Sequence, residues 1–512
     1  MSRRVWTAIG VHCLFGIWSN SQNSALNPIS DYVKGFLNES IATNYETSLT
    51  PHGLSLAWAC VASSYLWGGT LGTFMFGMLG DRLGRKTTLM VVSSSLGSLG
   101  SLMQFFGVLS GLPELLVAGR FFVGWSAGIS TLLITFLSEC LPESQAGHTS
   151  ASIYTAITSS QFVACALNLH VFLGREGVWP FSFLLPVPFL MTHVGLSLYL
   201  EESPKHLYIT TGRVEEAMDA FHFYRGRRKP REGSLCSWDK QKAVYDLERE
   251  LGRSRRQATL KEILTTRHLR WPLLICVVAG LSVPATGFDI SSFYSTDVIQ
   301  SLGAGKETAV LVTVFGVSLL AAFTCALFAF ARPMERFGRR NTLLFGTAVG
   351  LLAATLLTLA GQVPDNLRSS CGAAGVVLAQ SSSFMGPYMV TGILPTEIAP
   401  QTSRATTGAV TWGVCWAVSI VFGVAYPPAE AWVGSWACLP LVVGGVAILL
   451  FLHLYMPESR QATVSEIALR WLDHKKKKQE NGHDSNSVDE GGGATLLKKE
   501  KKEAGDDQSH HV

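Results

Sequence analysis

Twelve apolar stretches, separated by polar segments, run along this chain at roughly 6–26, 55–78, 87–108, 113–137, 149–172, 179–200, 270–298, 307–331, 341–361, 371–396, 405–426 and 433–456. A helix that crosses a bilayer needs about 20 mostly apolar residues, and each stretch is long enough. The fifth and tenth are the least apolar, because both carry several Ser, Thr or Gln residues. The pattern predicts an all-α membrane protein with twelve transmembrane helices. It divides into a six-helix half over 1–200, a polar linker over 201–269, a second six-helix half over 270–458 and a tail over 459–512.

The halves repeat one another. Gly77-Met-Leu-Gly-Asp81-Arg82-Leu-Gly84-Arg85-Lys86 follows the second apolar run, and Arg332-Pro-Met-Glu335-Arg336-Phe-Gly338-Arg339-Arg340 follows the eighth. Glu139-Cys-Leu-Pro142 returns as Glu397-Ile-Ala-Pro400, and Glu202-Ser-Pro-Lys as Glu458-Ser-Arg. The acidic residues are 335 − 81 = 254, 397 − 139 = 258 and 458 − 202 = 256 positions apart. A shared offset near half the chain length implies two homologous halves, an arrangement common among transporters.

Composition agrees with a membrane setting. Of the 512 residues 48% are hydrophobic and only 15% charged, against about 25% charged in soluble domains. With both termini on one side, four Lys or Arg residues (Lys34, Arg175, Lys306, Arg368) fall on the other and Arg120 falls at a helix end. That leaves 41 − 5 = 36 on the first side. The bias predicts a multi-pass cell-membrane protein with cytoplasmic termini. It also argues against nucleic acid as a partner, since the basic residues are spread over loops rather than gathered on one face. Met1-Ser-Arg-Arg before an apolar run could begin a signal peptide, but no convincing small-residue cleavage site follows.

The ten cysteines lack metal-ligand spacing, so neither a metal nor another cofactor is expected, and packing is their predicted role. Asn38-Glu39-Ser40 is a glycosylation sequon in the expected first external loop. The linker mixes charge with apolar residues at helical spacing, as in Arg213-Val-Glu-Glu-Ala-Met-Asp-Ala-Phe, which predicts short amphipathic helices. From about 474 the tail reads as disordered, and Lys475, Lys476, Lys477 and Lys478 form a run suited to anionic lipid.

The duplicated loop carries its own chemistry. Its glycines permit a tight turn and close helix approach. Asp81 suits the positive N-terminus of a neighbouring helix, and Arg85 can pair with carboxylates. A simple basic anchor would explain neither the acid nor the glycine spacing.

On these residues the chain resembles the major facilitator superfamily, and more narrowly the sugar porters, the family of the facilitative glucose transporters. The narrower resemblance rests on Gly119-Arg120 through Gly124 and Gly128 to Glu139, and on Glu202-Ser203-Pro204-Lys205. Further support comes from Phe293-Tyr294-Ser295-Thr296, the Glu335–Arg340 loop, and Pro457-Glu458-Ser459 with Thr463-Val464 and Glu466-Ile467. It covers about residues 6–470. The resemblance implies a gating network of Asp81, Arg82, Arg85, Glu139, Glu335, Arg336, Arg339, Glu397 and Arg404. In it Arg85 pairs with Glu139 and Arg339 with Glu397, locking the halves together at their cytoplasmic ends when the cavity faces outward and parting when it faces inward. Arg404 stands seven residues after Glu397, as the family pattern has it, whereas Ala146 stands seven after Glu139. A weaker N-terminal latch is the expectation.

The substrate region departs from the family. Paired glutamines of the seventh helix fall at Val283 and Pro284, and an asparagine falls at Asp289. A fifth-helix glutamine falls at Tyr154, a tenth-helix tryptophan at Gly392, and a Pro-x-Tyr pair at Ile134-Thr135-Phe136, while Trp416 matches. Independently, Asp289 is an acid in an apolar helix, functional if buried and unremarkable if it lies at a wet helix end. Gln161 lies two turns beyond Tyr154, with Thr158, Ser159 and Ser160 about it, and Ser19–Ser24 is a polar run in the first helix. These could line a water-filled path or join helices. Tyr154, Gln161, Asp289, Tyr294 and Trp416 are the candidate substrate residues. No nucleophile constellation or nucleotide loop suggests an enzyme. No Asp or Glu precedes Pro28, so the first-helix acid of proton-coupled sugar porters is absent. The expected activity is facilitated diffusion of a small polar solute, with an organic-ion carrier or a non-transporting solute sensor as alternatives.

Overall fold

The computed structural model describes residues 10–140, 146–225, 241–246, 259–331, 336–400 and 403–459, with Thr7, Trp238 and Asp239. The regular structure among them is helical, and these residues fall in one compact unit. In the first half, the second span is Pro51–Leu83, the third Thr87–Leu109, the fourth Pro113–Leu137, the fifth Ala146–Leu167 and the sixth Trp179–Leu196. In the second half, the seventh is Leu269–Ser301, the eighth Lys306–Phe328 and the ninth Arg339–Gln362. The eleventh is Arg404–Val433 and the twelfth Leu439–Tyr455. Among the described residues seven stretches are long and apolar enough to cross a membrane, the last holding the eleventh and twelfth helices end to end. The remaining spans are helical but more polar or broken.

The breaks are systematic: they fall in spans one, four, seven and ten, the first of each set of three. Span one is a series of short turns from His12 to Ile29 that leads into a regular helix, Ser30–Tyr45. Span four bends at Gly128 and Ile129, between Pro113–Ala127 and Ser130–Cys140. Span seven breaks at Thr286 and Gly287, whose φ is +84°. Pro284 just before removes a backbone donor there. Span ten breaks at Met385 and Gly386, between Asp365–Phe384 and Pro387–Ile398. Irregular backbone at membrane depth survives only where protein buries it or it lines a cavity. The four breaks therefore mark where a site must lie.

Small residues bring the helices together. A Cβ on Gly124 would overlap the Tyr65 carbonyl, and one on Gly68 the Phe121 carbonyl, so spans two and four meet backbone to backbone. Lipid supplies no hydrophobic drive between helices, and such close packing replaces it. The halves touch along spans two and eleven, where Trp416 covers Gly69 and Phe74 packs on Gly413, and along spans five and eight. On the face opposite the basic loops, spans one and seven are tied. Asn27 Nδ2 donates to the Ser292 carbonyl at 2.5 Å, and Lys34 Nζ lies 2.8 Å from Asp297. Trp58 Nε1 donates to the second Asp297 oxygen at 3.0 Å, and Lys306 pairs with Asp31 at 2.8 Å.

The described part of the linker contains His206–Thr211, Val214–Arg225 and Leu260–Thr265. Ala217, Ala220 and Phe221 bury one face of the middle helix against Leu207, Tyr208, Trp238 and Tyr245. Lys475–Lys478 lie outside the described residues. Two expectations need correction. The segment carrying Asn38 is helix rather than loop: Val33, Leu37 and Ser40 point inward at helical spacing, while Asn38 is exposed. The charges of Asp31 and Lys34, which hid this continuation in the sequence, are paired in the structure. Arg120 lies inside Pro113–Ala127, fully buried, rather than at a helix end.

Gly124→Val should lower stability by about 1–3 kcal/mol, the usual range for overpacking, read as a lower melting temperature in detergent. Gly77→Ala, where an added Cβ meets nothing within 4 Å, should stay within about 0.5 kcal/mol. Equal melting temperatures for the two variants would contradict the close packing.

Candidate functional site

The duplicated loop folds the same way twice. Gly84 (φ +98°) and Gly338 (φ +88°) each separate one helix from the next, in a conformation open to glycine and strained for other residues. A Cβ on either would collide with a carboxylate, Glu202 in the first copy and Glu458 in the second. Those carboxylates cap the following helix: Lys86 N donates to Glu202 at 2.9 Å, and Arg339 N to Glu458 at 2.8 Å. First-turn N–H groups lack helical partners and form the positive end of the helix dipole, so an anion is favoured there. The adjacent serines complete the unit. Ser203 donates to Glu139 at 2.5 Å and Ser459 to Glu397 at 2.6 Å.

The arginines treat their glutamates differently. Arg339 holds Glu397 with two nitrogens on two oxygens, Nε 3.2 Å from Oε2 and Nη2 2.9 Å from Oε1, the strong fork geometry. Arg85 Nε stands 3.4 Å from Glu139, while its Nη1 is shared among the Gly80 carbonyl at 3.0 Å, Asp81 at 2.9 Å and His206 Nδ1 at 2.7 Å. Arginine only donates, so His206 Nδ1 accepts and its ring is neutral. Burial, and then the Arg85 charge, push the His206 pKa below its usual value. Asp81, in the last turn of the second span, is spent on Arg85 just across Gly84 and is otherwise well exposed. Arg82 and Arg336 are exposed, Arg404 opens the eleventh helix, and Glu335 lies outside the described residues. Both arginine–glutamate pairs lie within one half. In this state the two described pairs, Arg85 with Glu139 and Arg339 with Glu397, brace each half from within.

Where the breaks converge, both halves wall a cleft whose empty space, open solvent included, is about 810 Å³. The first half supplies Asn20 and Asn23 from the broken first span and Tyr154 and Gln161 from the fifth. The second supplies Asp289, just past the seventh break, with Tyr388, Trp412, Trp416 and Ser419. The structure thus brings Tyr154, Gln161, Asp289 and Trp416 together and leaves Tyr294 out. Five residues beyond Asp289 on a helix, Tyr294 is turned away by about 140°. Its hydroxyl donates to the Gly423 carbonyl at 2.6 Å, and its ring meets Trp58 and Tyr426. Asp289 is 3% exposed, so the wet helix end is excluded. It hydrogen-bonds Ser419, while its Oδ2 has no partner. Thr158, Ser159 and Ser160 turn back onto carbonyls of their own helix. Within the Ser19–Ser24 run, Gln22 reaches the Ser182 carbonyl at 3.3 Å, and only Asn20 and Asn23 line the cleft.

Sequence reasoning missed the aromatic wall. Tyr388 stacks on Phe384 and Trp412, with centroids 5.3 and 5.8 Å apart, and meets Phe288 edge-on at 5.0 Å. Aromatics four apart at 384/388 and 412/416 were the available signal. Tyr154 joins the wall from the opposite half: its hydroxyl lies 3.4 Å from where a Cβ on Gly392 would stand. Also missed was a buried chain, with Ser94 Oγ 2.8 Å from His193 Nδ1 and His193 Nε2 2.9 Å from His12 Nδ1. Arg120 donates through Nη1 to the Gln22 carbonyl at 2.7 Å and lies 5.2 Å from the Tyr65 ring. A membrane-buried guanidinium is costly, and here carbonyls and a ring face offset part of that cost.

A cleft between two pseudo-symmetric six-helix halves, built at the breaks of their helices, defines a major-facilitator transporter. The family model for sugar (and other) transporters matches residues 5–471, and the chain belongs to that family. It is 28% identical over 470 residues to the mouse facilitated glucose transporter member 9, covering 88% of this chain and 82% of that one. It is 26% identical to human member 7 over 87% and 85% of the two chains, and 25% identical to chicken member 1 over 92% and 94%. Among solved structures, a proton:xylose symporter bound to 6-bromo-6-deoxy-D-glucose shares the fold with a TM-score of 0.72 at 18% identity, over 91% of this chain and 99% of that one. A partially occluded inward-open xylose transporter from E. coli gives 0.70 at 17%, over 90% and 100%.

The lowered pKa of His206 has a testable sign. Its neutral ring stabilises the fold at pH above the ordinary 6.5, and that contribution is lost as pH falls below it. Protonation would set a cation against Arg85. His206→Gln should flatten the loss of thermal stability between about pH 7 and 5. An unchanged pH slope in the variant would contradict the assignment.

Proposed function

We propose that this transporter moves a small polar solute of the hexose or polyol class across the cell membrane by alternating access, as facilitated diffusion. The observation that carries this reading is the cleft itself, walled by both halves and covered opposite the basic loops by the contacts of spans one and seven. A site shared by two rigid halves opens to one side as they rock closed on the other. The amides of Asn20, Asn23 and Gln161 both donate and accept, as a hydroxyl-rich solute requires. The relatives named as facilitated glucose transporters support uncoupled movement. So does the absence of an acid before Pro28, which leaves Arg120 without a titratable neighbour in the turns of the first span.

The distribution of Lys and Arg supports cytoplasmic termini. Lys34 and Asp297 then face the exterior, the described state is closed on that side, and exposed Asn38 is placed to carry a glycan. Opening outward requires the Lys34–Asp297 pair and the Asn27–Ser292 bond to part.

Uptake of labelled hexoses and polyols into proteoliposomes is the direct measurement. Saturable flux that equilibrates and does not concentrate is expected. Saturable binding without flux would replace this reading with a sensor. Asp297→Asn weakens the outer closure, so a cysteine placed in the cleft should react several-fold faster with an impermeant external reagent. Unaltered labelling would remove that pair from the gate.

A further inference from the structure

We propose that the preferred solute is a hydroxylated ammonium compound, an amino sugar or amino polyol in its protonated form, whose cationic nitrogen seats against Asp289. This rests on the transport reading and narrows it. Asp289 lines the cleft, is 3% exposed and leaves Oδ2 unpartnered. An ionised carboxylate can only accept, and a buried one needs a positive partner as well as hydrogen bonds. Among the described residues no Lys or Arg lines the cleft. Arg120 is directed at the Gln22 carbonyl and the Tyr65 ring. Among the described residues the carboxylate's hydrogen bond comes from the neutral Ser419 hydroxyl.

The surroundings favour the same ligand chemistry. Phe288, Tyr388, Trp412 and Trp416 share the wall with Asp289, and aromatic faces attract cations. The opposite wall is of another kind: Asn20 Nδ2 is unpartnered, and Asn23 and Gln161 stand beside it. These amides suit hydroxyl groups. A solute with an ammonium at one end and hydroxyls at the other satisfies both walls. A neutral sugar leaves the buried charge uncompensated, and an anion would be repelled.

The test uses the full chain in proteoliposomes, with labelled glucosamine, N-acetylglucosamine and glucose supplied at a pH that keeps the amine protonated. Acetylation keeps the skeleton and removes the charge. Glucosamine should be favoured over the two neutral sugars at least tenfold, and that ratio should fall towards one in Asp289→Asn. An inside-negative potential of about 100 mV should accumulate the amine about fiftyfold. Glucosamine uptake no better than glucose uptake would overturn the proposal while leaving transport intact. Glucose uptake driven by a proton gradient and lost in Asp289→Asn would also overturn it, by giving the carboxylate a proton as its partner. Thermal stabilisation by glucosamine without any flux would support the ligand assignment and remove the transport reading. Should the variant fail to fold, the wild-type comparison of glucosamine with N-acetylglucosamine decides the matter alone.

Discussion

Within a bilayer no water is available to satisfy a free backbone carbonyl or amide, and the rest of this structure follows from that constraint. Spans one, four, seven and ten give up regular hydrogen bonding, so each must bury its break in protein. Burying four breaks together needs close helix approach, which the glycines of spans two and four provide. It also needs local polar partners. Ser292 gives its carbonyl to Asn27 and its hydroxyl to Gln380, and Thr286 shares a hydrogen bond with Ser383 at 2.6 Å. The cleft is where the freed backbone and these side chains leave room.

The charged ends obey a related rule. Helix three opens with unsatisfied N–H groups, and so does helix nine. Each is capped by a glutamate from beyond the last helix of its own half, and a glycine keeps the approach clear. The motif pairs separated by about 256 residues are one structural unit used twice. What differs is the arginine, which forks onto Glu397 in the second half and is divided among four partners in the first.

Much of this was legible in the residues. Apolar runs mark most of the spans because lipid exposure demands them, and the repeated motifs mark the two caps because each residue type has one geometric task. The interior was harder to read. Tyr294 belonged to a recognisable motif, yet helical rotation turns it away from Asp289. Arg120 looked like a helix end because a buried guanidinium is rare, and only the Gln22 carbonyl, brought in by the irregular first span, makes its position intelligible. His12 and His193 are 181 positions apart, and no local pattern announces that they touch.

The contact between Tyr154 and Gly392 has a consequence for how this site can change over generations. The Tyr154 ring of the first half stands against the place where a side chain at 392, in the second half, would begin. A bulky side chain at 392 would meet the Tyr154 hydroxyl, whereas a smaller side chain at 154 would leave the aromatic wall open. A change at one position therefore alters the room and the surface offered at the other. Residues in contact couple, so substitutions at 154 and 392 act on one shared feature of the cleft and their effects do not simply add.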